Sequence, residues 1–220
     1  MRRGEPLRDA GVGVDAIVLA VPDAAIAEVA EAIEPRDGVC VVHLSGAAQL
    51  DVLSPHRRVA SLHPLVSLAN PQLGAARLAG AWFAVAGDHV AADIAAALHG
   101  RTFTVAESDR ALYHATACIA ANHLTGLLGQ VQRLARSTGT PFEAFVDLAR
   151  GSLDNVARLV DAQDALTGPV SRADWPTVAA HLAALPDDER AVYLALAHEC
   201  ARLAGRVWPN SGDNSYPDAS

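Results

Sequence analysis

No lysine occurs anywhere in the 220 residues; all 17 of the strongly basic side chains are arginine. No Schiff base can form on such a chain, and no lysine can act as a general acid. The bias toward arginine fits the codon usage of a GC-rich genome. Cysteine is scarce, and Cys40, Cys118 and Cys200 lie far apart, without CxxC or Cys/His ligand spacing. That spacing excludes a zinc site and a redox dithiol. The opening MRRGEPLRDAG has no apolar signal core, and no uninterrupted apolar run reaches the ~20 residues of a membrane span. With an odd cysteine count, these features predict a cytoplasmic protein and no membrane partner. A net charge of -8 leaves no basic face for phosphate backbones, which excludes a general nucleic-acid binder. Aromatic residues are few at 5%, whereas hydrophobic residues reach 51% and alanine is abundant, a composition for close-packed helices.

What is present alternates between strand-like and helix-like runs. Val14–Val21 is a continuous apolar run, as in a strand buried on both faces. A helix over Asp23–Ile33 follows, with Asp23 as candidate N-cap. Strands are then predicted at Val39–Leu44, Arg58–Leu62, Trp82–Ala86 and Thr102–Val105, with helices at Gln49–Leu53 and Val90–Leu98. From Asp109 onward every predicted element is helical: Asp109–Ser137 as one long helix, then Phe142–Arg150, Leu153–Gln163, Trp175–Leu185 and Asp187–Arg206. The expected fold is therefore α/β, a partial Rossmann-like and mostly parallel sheet over 1–106, then an all-α domain over 107–207 and a disordered tail over 208–220.

A dinucleotide fold places GxGxxG between its first strand and the following helix, where the backbone meets the pyrophosphate. Gly11-Val12-Gly13 precedes a strand and has no third glycine in register, so it reads as a loop. About two βα units of the usual arrangement are missing by this reckoning.

The stretches VLAVPDAAI, VVHLSGA, SLHPL, SDRALYHATACIAANHL, ALTGPVSRAD and ADWPTVAAHLAAL, in this order, resemble the bacterial Rossmann-like proteins that carry a C-terminal DUF2520 domain. The resemblance spans about residues 14–206. Its layout is similar to that of pyrroline-5-carboxylate reductase, ketopantoate reductase and prephenate dehydrogenase, and it implies an NAD(P) domain joined to a helical domain that dimerises. It implies an oxidoreductase acting on a small 2-oxo acid or cyclic imine with NADP or NAD. Relatives would carry the glycine loop that is missing here. A misplaced or truncated start is favoured over a genuine short form, because the downstream motifs are intact. Truncation would leave the standard cofactor grip unavailable and the chain inactive. A non-catalytic dimeric ligand-binding or scaffold protein is the alternative reading, and a helical interaction module with a vestigial sheet is a third.

Candidate site residues fall at strand ends and on the long helix. Val21, Pro22 and Asp23 end the first strand, at the edge where open α/β sheets bind ligands; by resemblance this turn approaches ribose and nicotinamide, and otherwise it is a capped turn. Ser45, Gly46 and Ala47 end the second strand. Glycine there permits close approach, and the serine hydroxyl either bonds ribose or substrate or closes an ST-type turn. His63, fixed by Pro64, suits proton donation to a carbonyl and resembles the histidine-proline turn of prephenate dehydrogenases; otherwise it is a histidine bonded to nearby backbone. His114, Cys118 and Asn122 recur at i, i+4 and i+8 on one helix face. By resemblance to ketopantoate reductases His114 stands where their lysine stands, with Asn122 orienting substrate; a buried Asn122 requires a hydrogen-bond partner, and His123 points away. In the loop Thr167-Gly168-Pro169, Arg172 is a fork for a carboxylate or phosphate, unless it pairs with Asp174 as helix N-cap. His181 bonds the loop or substrate, or supports packing. No metal site is expected.

Overall fold

The computed structural model describes residues 7–159 and 161–209. The chain forms two compact units, Met1–Thr125 and Gly126–Ser220.

The first unit is an α/β sandwich. Its strands are β1 (Ala16–Leu19), β2 (Cys40–His43), β3 (Arg58–Pro64), β4 (Trp82–Gly87) and β5 (Arg101–Thr104). They form one sheet in the order β1-β2-β3-β4-β5. Three pairings are parallel; β3 and β4 run antiparallel. Period-two alternation divides the buried side chains between two cores. Cys40, Val42, Ala60, Leu62 and Phe83 pack on one face against Ala91 and Ala95 of α3 (Val90–Ala97). Val41 and Leu19 pack on the other against Ile26 and Ala30 of α1 (Ile26–Glu31) and against Leu53. Fully burying an aliphatic or phenyl group of this kind stabilises a fold by about 1.5–3 kcal/mol.

Two departures from sequence expectation have local causes. β1 is shorter than the apolar run and leaves Val18 45% exposed; among the described residues it lies at the sheet edge and pairs with β2 alone. Asp23 is not an N-cap: α1 starts after a 3-10 turn at Asp23–Ala25 and has no side-chain cap, the Asp23 carboxylate being bonded to Ser45 instead. Gly11 and Gly13 sit in the turn before β1, as expected of a loop. An extra helix, α2 (Pro71–Leu78), separates β3 from β4.

The predicted long helix begins as α4 (Arg110–Cys118), passes through a π-helical turn at Ile119–His123 and resumes as α5 (Leu124–Thr138). In the second unit, α6 (Phe142–Arg158) is one helix where two were expected, since exposed Gly151 and Ser152 stay helical. There follow α7 (Ala162–Ala165), α8 (Trp175–Ala184) and α9 (Asp187–Leu203). Val170, Val178, Leu182, Ala197 and Ala201 form the core of this unit. Arg133 of α5 holds the buried Glu189 of α9 through two bonds, at 2.6 and 2.9 Å, and Gln130 donates to the Glu189 carbonyl. Trp208, the last but one of the described residues, packs on Trp175 and His198; positions 210–220 of the expected tail lie outside the described residues. Among those described, no helix is long and apolar enough to cross a membrane.

Candidate functional site

β1, β2 and β3 are parallel, so their carboxyl ends share one edge of the sheet. The turn after β1 and the turn after β2 are tied together there. Ser45 Oγ donates to the exposed Asp23 carboxylate at 2.6 Å and accepts the backbone N–H groups of Ala47 and Ala48 at 3.1 and 2.9 Å. One donor and two lone pairs are all a serine hydroxyl has. Its hydrogen-bonding capacity is thus spent on building the turn, and any contact from this turn to a ligand falls to the backbone. Val21 is partly buried, while Pro22 and Ala47 are exposed at the same edge.

Gly46 is buried between two rings. A Cβ at this position would meet His63 Cε1 at 2.8 Å, His63 Nε2 at 2.9 Å and His114 Cδ2 at 2.9 Å. Such distances are too short for any side chain, so glycine is what allows the turn after β2 to approach both histidines. His63 comes from the end of β3 and His114 from α4, and their ring centroids lie 6.2 Å apart. His63 Nδ1 is 2.6 Å from the Tyr113 hydroxyl. Burial holds the His63 pKa below its ordinary value, helped by the neighbouring His114 and Arg110. Burial raises that of Tyr113. Both groups are therefore neutral near pH 7.

A cavity of about 490 Å³ opens beside this group. Its polar lining includes His63, Tyr113, His114 and Asn122, set among Pro64, Val66, Phe103 and Cys118. The spacing of 114, 118 and 122 does gather these residues on one cavity, although the π-helical turn intervenes. Asn122 is exposed, not buried as expected, so water can satisfy its amide. His123 is exposed and outside the lining. Cavities of this size, apolar with a few convergent polar groups, are the usual form of small-molecule sites.

Two further groups were not singled out by sequence. His43, at the end of β2, is fully buried; its Nδ1 accepts from the Ser45 N–H at 3.2 Å, and its Nε2 has no partner. Burial, with Arg110 next in effect, pushes its pKa down to about 4. The Ser61 hydroxyl, opposite His43 on β3, is likewise buried without a partner. Arg110 is buried at the start of α4; its Nε donates to Glu107 at 2.9 Å, and Glu107 accepts the Leu50 N–H at 3.3 Å. A histidine inside an otherwise apolar strand, CVVHLS, was the available signal for His43. Tyr113 shares a helical stripe with Arg110 and Ala117, which was the signal for both α4 groups.

In the second unit Gly168 has φ +96°, in the region glycine favours, and Ser171 Oγ donates to its carbonyl. Thr167 is exposed. Asp174 caps α8, accepting from Thr177 N–H at 3.3 Å and Thr177 Oγ1 at 2.8 Å. Exposed Arg172 makes no ion pair among the described residues, so the alternative Arg172–Asp174 pair is not formed. His181 Nδ1 is 2.8 Å from the Tyr193 hydroxyl of α9, which is a packing role within the unit. The described residues contain no His/Cys/Asp/Glu group able to hold a metal ion. Burial pushes the Cys40 thiol up to about 11, which makes it inert at neutral pH.

The sheet, its carboxyl-edge turns and the following helices define a Rossmann-like protein with a helical C-terminal region. Residues 5–66 match the family described as a Rossmann-like domain, and residues 82–200 match the domain of unknown function DUF2520. The second match spans more than half of the chain, and the chain belongs to the DUF2520 family. A protein from Thermotoga maritima has a similar structure, with a TM-score of 0.70 at 24% identity over 86% of this chain and 77% of that one. The 1-pyrroline-5-carboxylate reductase of Streptococcus pyogenes gives a TM-score of 0.60 at 13% identity, over 89% of this chain and 79% of that one. Pyrroline carboxylate reductase of Plasmodium falciparum, a structure with NADP bound, gives 0.59 at 12% identity, over 91% and 81%. At these identities the likeness is one of fold. Comparison with curated proteins returns no match.

Proposed function

We propose that the chain is an NAD(P)-dependent oxidoreductase that reduces a C=O or C=N bond in a small molecule, with a 2-oxo acid or a cyclic imine as the substrate class. The observation that carries this reading is the convergence of His63, His114 and Asn122 on one cavity, with the Gly46 turn packed against both histidine rings at the carboxyl edge of the parallel strands. The nicotinamide half of the cofactor is assigned to the turns at Val21–Asp23 and Ser45–Ala47, which would hold it through backbone groups. Among the described residues no glycine-rich turn follows a strand to receive a pyrophosphate, so that half is not assigned. A bound nicotinamide would supply hydride to the substrate carbon. His63, neutral and half-buried, is the candidate proton donor, with His114 beside it and Asn122 to orient the substrate.

The helical unit is proposed to form a homodimer. α6 runs for 17 residues without burying one, and leaves Leu148 67% and Leu153 53% exposed. Apolar side chains left exposed along a helix that buries none of its own residues fit an interaction surface. Light scattering should give twice the 22.9 kDa chain mass, and Leu148→Glu should halve it.

The test of the reductase reading is a titration with NADPH and with NADH, followed by nicotinamide fluorescence. Saturable binding supports it. Absence of binding by either cofactor removes it in favour of a ligand-binding protein without redox chemistry.

A further inference from the structure

Tyr113 was not among the residues that sequence marked for the site, yet its hydroxyl lies 2.6 Å from His63 Nδ1. A neutral imidazole carries its proton on one nitrogen only, and the partner of one nitrogen decides the state of the other. Between a neutral phenol and a neutral imidazole, the phenol is the better donor and the ring nitrogen the better acceptor. Tyr113 therefore donates, and Nδ1 accepts.

We propose that Tyr113 is a positioning residue that fixes His63 in the tautomer with its proton on Nε2. This rests on the reductase reading for its purpose, although not for its truth. Nε2 is the nitrogen facing the Gly46 turn, since a Cβ on Gly46 would lie 2.9 Å from it. The His63 ring also lines the cavity, so on the reductase reading an Nε2 proton would pass from this ring to a substrate oxygen or nitrogen as hydride reaches the adjacent carbon. The bond His63 Nε2–H breaks, the substrate O–H or N–H forms, and His63 is left anionic unless the Tyr113 proton passes to Nδ1 in the same step. That second transfer leaves a tyrosinate, which regains its proton from water. The surroundings hold the pair in place. The Tyr113 ring meets Phe103 edge to face at 5.8 Å and His63 at 5.6 Å, and Phe103 meets Trp82 at 6.1 Å. A hydroxyl on a tyrosine packed in this way has little freedom to turn elsewhere.

The test is long-range ¹H–¹⁵N NMR of the full ¹⁵N-labelled chain at pH 7.5, without cofactor. In the wild type, His63 Nδ1 should give the shift of an unprotonated nitrogen and Nε2 that of a protonated one. Tyr113→Phe keeps the ring and its packing and should lower the Nε2–H to Nδ1–H ratio about tenfold, the equivalent of about 1.4 kcal/mol. A wild-type ring protonated on Nδ1 overturns the proposal without recourse to any variant, as does a folded Tyr113→Phe with an unchanged tautomer ratio. The measurement needs no nucleotide. A fixed Nε2–H tautomer in a chain that binds neither NADPH nor NADH would sink the reductase reading and leave this assignment standing. Where turnover is found, Tyr113→Phe should lower kcat and leave KM for the cofactor unchanged.

Discussion

Gly46→Ala is the smallest change that tests the geometry of the site. The added Cβ would meet His63 Cε1 at 2.8 Å and both His63 Nε2 and His114 Cδ2 at 2.9 Å. Ordinary carbon contacts begin about 0.5 Å further out. Gly46 does not occupy a positive-φ conformation, so the backbone itself accepts alanine. The rings must give way. The His63 ring cannot retreat by half an ångström and keep its 2.6 Å bond unless Tyr113 moves with it. Overpacking costs about 1–3 kcal/mol, and two ring edges at a half-buried site belong at the lower end, about 1 kcal/mol. For a chain of this size that lowers Tm by about 2–4 °C. A control separates the clash from the chemistry of alanine: Gly126 lies in α5 with nothing within 4 Å of an added Cβ, and Gly126→Ala should raise stability by about 0.5–1 kcal/mol. The His63 Cε1 proton reports the site itself. Its pKa is depressed in the wild type by burial first. Displacement of the ring toward solvent should raise it toward the ordinary value. A Gly46→Ala protein with unchanged Tm, and with an unshifted His63 titration, would show that the two rings do not meet at this turn.

Three further outcomes follow from groups around the site. His43 is neutral in the fold down to about pH 4, whereas in the unfolded chain it binds a proton below 6.5; the unfolded state then binds more protons, so stability falls as pH drops from 6.5 toward 4, by at most about 1.4 kcal/mol per unit and about 2 kcal/mol in total once water reaches the charged ring. Urea unfolding at several pH values should show this slope, and His43→Leu should lose one proton's worth of it; an identical slope in both proteins contradicts the burial argument. Glu107→Gln removes the carboxylate from buried Arg110, and, because Glu107 itself is partly exposed, should cost about 2 kcal/mol, read as a lower urea midpoint at pH 7.5. Asp174→Ala deletes the cap of α8 and should cost about 1 kcal/mol, with Asp174→Asn restoring most of it.

Sequence patterning carried much of this fold, for physical reasons that can be named. Cys40–His43 and Arg58–Pro64 were legible as strands because both are apolar runs bounded by turn residues, and α8 because Asp174 caps it and Pro176 suits a first turn. Position in the sheet was not legible: the apolar run at Val14–Val21 looks the same whether a strand has one neighbour or two. Gly151-Ser152 looked like a break in α6, but one glycine costs a helix only about 1 kcal/mol, and the turns on either side carry it. The π-helical turn at Ile119–His123 has no breaker residue to announce it. At the site, His63 and Gly46 stood out at strand ends and His114 on an apolar helix, and the structure brings the three together. Asp23 and Ser45 read either as facing a ligand or as capping and closing their own turns; Ser45 closes its turn and bonds Asp23, since two short polar side chains on adjacent turns satisfy one another first. The role of Tyr113 depends on a contact across 50 residues of sequence, which no local pattern contains.

The measurement that bears most directly on the central claim is a ¹H–¹³C NMR titration of the histidine ring signals with NADPH, with variants at His63 and His114 to assign them. If the nicotinamide lies at the carboxyl edge beside the Gly46 turn, the His63 and His114 signals shift together and saturate, while His56 and His181 stay fixed. Saturable binding of NADPH that leaves both His63 and His114 unmoved would contradict the site described here.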